Sequence, residues 1–181
     1  MQSPGQSLTF GRMIADSRTS VAFTGHRTYR GAAADALRRT VGELYARGFR
    51  NFLSGMAVGF DLAAAEAVLE LRERAPGVRL VAAVPFRGQE MRFSPADRER
   101  FRRVLAEADS VEVLAPAYHR GCYAVRNDFL VDNARVLVAW YDGSPGGTRY
   151  TVRRALGRGL EVVNLCPAAP VPPAPEPTLF G

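Results

Sequence analysis

From residue 20 to residue 165 the sequence alternates without interruption between short β-like runs and longer segments of helical period. The runs are residues 20–24, 51–54, 78–84, 110–114, 136–141 and 161–165, and the helical segments are 32–47, 61–74, 95–108, 123–133 and 148–158. Leu37, Val41, Leu44 and Tyr45 fall on one face of the first helix, Gly48 closes it, and Ser94 before Pro95 caps the third. Residues 78–84 and 136–141 are near-continuously apolar, as strands covered on both faces must be. The rhythm predicts an α/β, Rossmann-like three-layer domain with a mostly parallel sheet and helices on both faces.

The expected domain is residues 19–166. Residues 1–18 are polar and aperiodic and are expected to be a flexible extension without a secretory signal. Residues 167–181 are proline-rich and are expected to be extended or disordered. The longest apolar runs are too short to span a bilayer, and two cysteines give no disulfide framework. A cytoplasmic location is therefore expected.

All 24 basic side chains are arginine, and the net charge is +6. Without lysine there is no Schiff-base chemistry and no P-loop lysine. Arginine forks suit phosphate and carboxylate, so the charge permits an anionic partner, nucleic acid included. Arginine-for-lysine replacement through genomic base composition accounts for the charge equally well. His26 and His119 stand apart with no Cys/His cluster, so no metal site is expected.

In an open parallel sheet ligands bind beyond the carboxyl ends of the strands, and the unusual residues of this sequence lie there. Thr24-Gly25-His26-Arg27 follows the first run, and Ser54-Gly55-Met56-Ala57-Val58-Gly59-Phe60-Asp61 follows the second. Pro85-Phe86-Arg87-Gly88-Gln89-Glu90 follows the third, and Tyr141-Asp142-Gly143-Ser144-Pro145-Gly146-Gly147-Thr148 the fifth. Gly55 with Gly59, and Gly146 with Gly147, admit a close approach of backbone amides to an anion at a helix start. Thr148 is expected either to cap its helix or to bond a phosphate oxygen, and Asp61 either to cap or to join the site. Arg27 is placed to fork onto an anion, while His26 is a ligand or a structural histidine. Asp142 and Glu90 suit a general base, a ribose acceptor or a turn, and Glu66 lies within an amphipathic helix.

These loops, together with Arg126-Asn127-Asp128-Phe129-Leu130-Val131-Asp132, resemble the SLOG superfamily, specifically its YpsA-like branch. The resemblance covers residues 20–165 and implies a nucleotide or nucleotide-derivative ligand, ADP-ribose-like in kind, and a homodimer. No other cofactor is implied. Ligand-binding roles then fall to Gly25, His26, Arg27, Gly55, Met56, Gly59, Asp61, Arg126, Asn127, Asp142, Gly146, Gly147 and Thr148, with Phe86 and Tyr141 flanking the base. Two relatives supply rival functions. The lonely-guy enzymes hydrolyse the N-glycosidic bond of nucleoside monophosphates with an arginine and a glutamate near a Gly-Gly loop. Here Arg149-Tyr150-Thr151-Val152 follows that loop with no glutamate, which leaves Glu90, Glu66 and Arg27 as catalytic candidates. The DprA-like proteins bind single-stranded DNA, for which Tyr118, Tyr123 and Phe129 are the available stacking aromatics.

Overall fold

Six strands form one sheet in the order β4-β3-β2-β1-β5-β6, and every neighbouring pair is parallel. The structure is a computed structural model that describes residues 16–167. Apart from residues 16–18 and 167, the extension and the proline-rich tail expected at the two ends lie outside the described residues. Within the expected extension, Ser17–Thr19 forms a 3-10 turn, capped by Asp16, that leads into β1.

The strands are β1 (Ser20–Gly25), β2 (Asn51–Ser54), β3 (Arg79–Val84), β4 (Ser110–Val113), β5 (Val136–Trp140) and β6 (Glu161–Asn164). The helices between them are α1 (Ala34–Ala46), α2 (Phe60–Arg72), α3 (Pro95–Glu107), α4 (Cys122–Asp132) and α5 (Gly147–Gly157). Each matches its expected segment to within two residues at either end. Ser94 caps α3 as its sequence implies, its hydroxyl accepting from the Asp97 amide at 3.1 Å with proline in the first turn.

The period-two alternation of the strands divides the core. Val21 and Phe23 of β1 pack with α1, α2 and α3, alongside Leu37, Val68 and Phe101. Ala22 faces the other way, with Leu130, Val131, Val152 and Ala155 of α4 and α5. Helices α1 to α3 therefore cover one face and α4 and α5 the other. The chain runs outward from β1 to β4, then returns by α4 to place β5 on the opposite side of β1. Consecutive connections part to opposite faces between β1 and β5, and this switch point opens a crevice at their carboxyl ends. Among the described residues no helix is long and apolar enough to cross a membrane.

Candidate functional site

The crevice predicted by the strand order is present as a cavity of about 310 Å³, within the range of small-ligand sites. The end of β1 supplies Thr24, Gly25, His26 and Arg27, and the approach to α2 supplies Ala57 and Asp61. Tyr123, Arg126 and Asn127 of α4 and Gly147 and Thr148 of α5 complete the wall. Tyr123, Arg126 and Asn127 meet the same hollow because positions three and four apart share a helix face.

Arg126 and Asp61 form the floor. Their side chains are 7% and 5% exposed, and Arg126 Nη1 lies 3.9 Å from Asp61 Oδ2. Arg126 Nη1 also donates to the Gly55 carbonyl, and Nε donates to Asn127 Oδ1 at 2.8 Å. Asp61 Oδ2 accepts from the Ala57 amide at 3.4 Å, while Oδ1 has no hydrogen-bond partner among the described residues. Burial pushes the Asp61 carboxyl up to about 6, against the opposing pull of Arg126, the Ala57 amide and Arg27. Burial likewise lowers Arg126 from its ordinary value, and Asp61 opposes that shift. The floor is thus a charged pair whose carboxylate is incompletely satisfied.

Arg27 is exposed at the rim, its guanidinium 5.2 Å from the centroid of the Tyr123 ring. It has no carboxylate partner within salt-bridge distance among the described residues, and so is the free cation of the cavity. His26 holds its ring by Nε2, 2.8 Å from Asp142 Oδ1. The Asp142 amide approaches the same nitrogen at 3.2 Å, so Nε2 donates to the carboxylate when protonated and accepts from the amide when not. Hydrogen bonds from the Ser144 hydroxyl and amide hold the Asp142 carboxyl below its ordinary value. Asp142 itself does not line the cavity; it acts on His26.

The two glycine loops part company. At the start of α2 the backbone turns inward: Phe60 N donates to the His26 carbonyl, Leu62 N to Ala57, and Met56 N to the Ser54 hydroxyl. A Cβ on Gly55 would lie 2.6 Å from Arg126 Nη1. One on Gly59, which has φ of +85°, would lie 2.6 Å from the His26 carbonyl oxygen. These glycines let three segments pack together, and neither lines the switch-point cavity, although Gly59 lines a larger hollow beside α1 and α2. Met56 is wholly buried, with a left-handed φ of 59°, and belongs to the core. Asp61 does not cap α2 either, since Gly59 holds that position.

At α5 the backbone is arranged differently. Gly146 is the N-cap residue with no side-chain cap, and the first intrahelical bond runs from Tyr150 N to the Gly146 carbonyl. The amides of Gly147 and Thr148 therefore have no partner inside the helix, and both residues line the cavity. Thr148 does not cap the helix. Its hydroxyl makes no hydrogen bond among the described residues.

The carboxylates expected to be catalytic lie elsewhere. Glu66 binds Arg100 at 2.8 Å and Arg103 at 3.0 Å and lines that larger hollow of about 610 Å³, walled by α1, α2 and α3, which shares Arg27 with the switch-point cavity. Glu90 sits in a 3-10 turn, Gln89–Arg92, outside the lining of both cavities. Phe86 and Tyr141, expected to flank a base, are buried wall residues that line neither cavity. The aromatic that does reach the cavity is Tyr123, which the sequence placed only among stacking candidates for DNA. Its spacing from Arg126 and Asn127 was the available signal. No group of three His, Cys, Asp or Glu that could hold a metal occurs among the described residues.

Comparison with known proteins follows the same lines. Two proteins called UPF0398 protein are similar: one from Bacillus thuringiensis (strain Al Hakam), 29% identical over 132 residues, covering 71% of each chain. The other, from Bacillus cereus (strain G9842), is 28% identical over 137 residues and covers 74% of each. Among solved structures, DNA processing protein A from Streptococcus pneumoniae superposes with a TM-score of 0.58 at 19% identity. That from Helicobacter pylori, whose structure is described for its single-stranded DNA binding mode, gives 0.57 at 18%. Each superposition covers 79% of this chain, but only 48% and 63% of the respective DNA processing proteins, so the likeness is one of fold. The model of the YspA SLOG family (YpsA) matches residues 22–159, from β1 to just past α5, and the chain belongs to that family.

Proposed function

We propose that this chain binds the phosphate-bearing part of a nucleotide or nucleotide derivative in the cavity at the switch point. The observation that carries this reading is the pairing of the unfilled α5 amides, Gly147 and Thr148, with the unpartnered guanidinium of Arg27 across one hollow. A phosphate between them meets two amides, a hydroxyl and a fork of N–H donors. Asn127 and His26 offer the polar contacts that a ribose needs. Glycosidic-bond hydrolysis is not favoured, because the lining contains no glutamate and its one carboxylate, Asp61, lies buried on the floor beside Arg126. Titration calorimetry with AMP and ADP-ribose tests the reading. Dissociation constants below about 1 mM, weakened tenfold or more by Arg27→Ala, support it, and no heat from either ligand sinks it.

A second reading has its own support. The fold is shared with two DNA processing proteins, one of which is described for its single-stranded DNA binding mode, and the chain carries +6. The comparisons favour this reading over the free nucleotide, whereas the small volume of the cavity favours one nucleotide unit. Fluorescence anisotropy with a labelled single strand discriminates them. Tight capture that falls steeply as salt rises, with no affinity for AMP, supports the nucleic-acid reading.

A further inference from the structure

Next to the cavity three aromatic rings form a triangular cluster, of which the mononucleotide reading uses Tyr123 alone. Phe86 is 4% exposed and presents its edge to Tyr118 and to Tyr123, with centroids at 5.4 Å and 5.9 Å and interplanar angles of 77° in both pairs. The two tyrosines lie 6.4 Å apart, one lining the cavity and the other 52% exposed outside it. Each carries a guanidinium over its ring: Arg27 at 5.2 Å from Tyr123 and Arg92 at 4.8 Å from Tyr118. Neither arginine has a carboxylate within salt-bridge distance among the described residues.

The cluster is held in place by its surroundings. Arg87 N donates to the Ala115 carbonyl at 3.1 Å and Leu114 N to Val84 at 2.9 Å, tying the loop that carries Phe86 to the loop that leads to Tyr118. Phe86, Ala115 and Cys122 form a small core of their own against which Tyr123 packs. The Tyr118 ring is half open to water and is packed from behind by the buried Phe86 ring. It hides little apolar surface and spends nothing on flexibility, which suits a stacking platform. The Arg92 guanidinium lies over that ring, so a base stacks there by taking its place or by layering with it.

We infer that Tyr118 and Arg92 form an outer subsite for a second aromatic base, so that the full ligand carries two bases joined through phosphate. This rests on the proposed placement of a phosphate in the switch-point cavity. Tyr123 and Arg27 then stand at the junction, with the linking phosphate on Arg27 and the second base over Tyr118. The shared chemistry is a base–phosphate–base unit, supplied either by a pyrophosphate-linked dinucleotide or by one step of a single strand.

The test compares AMP, diadenosine diphosphate and the 3′–5′-linked dinucleotide ApA by titration calorimetry on the full chain and on Tyr118→Ala and Tyr118→Phe. At least one two-base ligand is expected to bind about fivefold or more tighter than AMP. Tyr118→Ala removes that gain without changing AMP affinity, and Tyr118→Phe retains it. Which two-base ligand gains identifies the source. Equal affinity for AMP and both two-base ligands, or a gain that survives Tyr118→Ala, overturns the outer subsite and leaves the cavity reading standing. Failure of AMP and both two-base ligands to bind overturns both.

Discussion

Arg126 of α4 reaches across the carboxyl end of the sheet to within 3.9 Å of Asp61 on α2, so the two helical layers are joined by a charge pair beneath the cavity. Removing one member of such a pair leaves the other buried and unmatched. Arg126→Ala is therefore expected to destabilise the fold by about 3 kcal/mol or more. Asp61→Asn is expected to cost less, because the amide keeps the shape and the carboxylate it replaces is itself poorly solvated. Urea denaturation of both variants at neutral pH measures the order.

Asp61 also sets a pH dependence. Its folded-state value of about 6 lies above the ordinary 3.8, so the native state holds that proton more tightly than the unfolded chain does. The resulting stabilisation is complete below about pH 4 and is lost as pH rises through about 6. The stability difference between the native sequence and Asp61→Asn should fall over that window, by no more than about 3 kcal/mol, and stay flat above it. A difference that rises with pH contradicts the assignment.

The glycines before α2 are expected to be intolerant for steric reasons, not for loss of an anion. Gly55→Ala drives a methyl group to 2.6 Å from the Arg126 guanidinium, and overpacking of this kind costs about 1–3 kcal/mol. Gly59→Ala adds a left-handed φ to a clash with a backbone carbonyl that cannot yield, and is expected to cost more. Gly146, whose added Cβ would meet nothing within 4 Å, should cost least of the three despite its φ of +133°. Thermal unfolding of the three alanine variants gives the ranking.

Thr148→Val keeps the shape of the side chain and removes a hydroxyl that bonds nothing within the described chain. Stability should change little. Nucleotide affinity should fall about three- to tenfold, the worth of one hydrogen bond, in calorimetry against AMP.

The alternation of β-like and helical segments made the layers legible because each element declares its own period, as in the split of Val21 and Phe23 from Ala22. Strand order supplied the rest of the site's location, since only the reversal between β1 and β5 tells which loops converge. Glycine content was a poorer guide. Gly59 and Gly147 look alike in sequence, yet one has its neighbours' amides turned inward and the other leaves them unfilled, a difference made by tertiary hydrogen bonds. Phe86, expected to flank a base, is buried outside the cavity lining, while Tyr123, expected only to stack on DNA, lines it, because which aromatic faces the cavity depends on how α4 packs against the sheet. Glu66 was legible only as a helix residue, because its partners Arg100 and Arg103 come from a helix more than thirty positions later.

We place the anion site at the start of α5 and not at the start of α2, a placement that backbone amide shifts read out residue by residue. Titration of the ¹⁵N-labelled chain with AMP should move the Gly147 and Thr148 amide resonances far more than those of Phe60 and Leu62, which are already bonded to carbonyls. Dominant shifts at Phe60 and Leu62, with Gly147 and Thr148 unmoved, would contradict it.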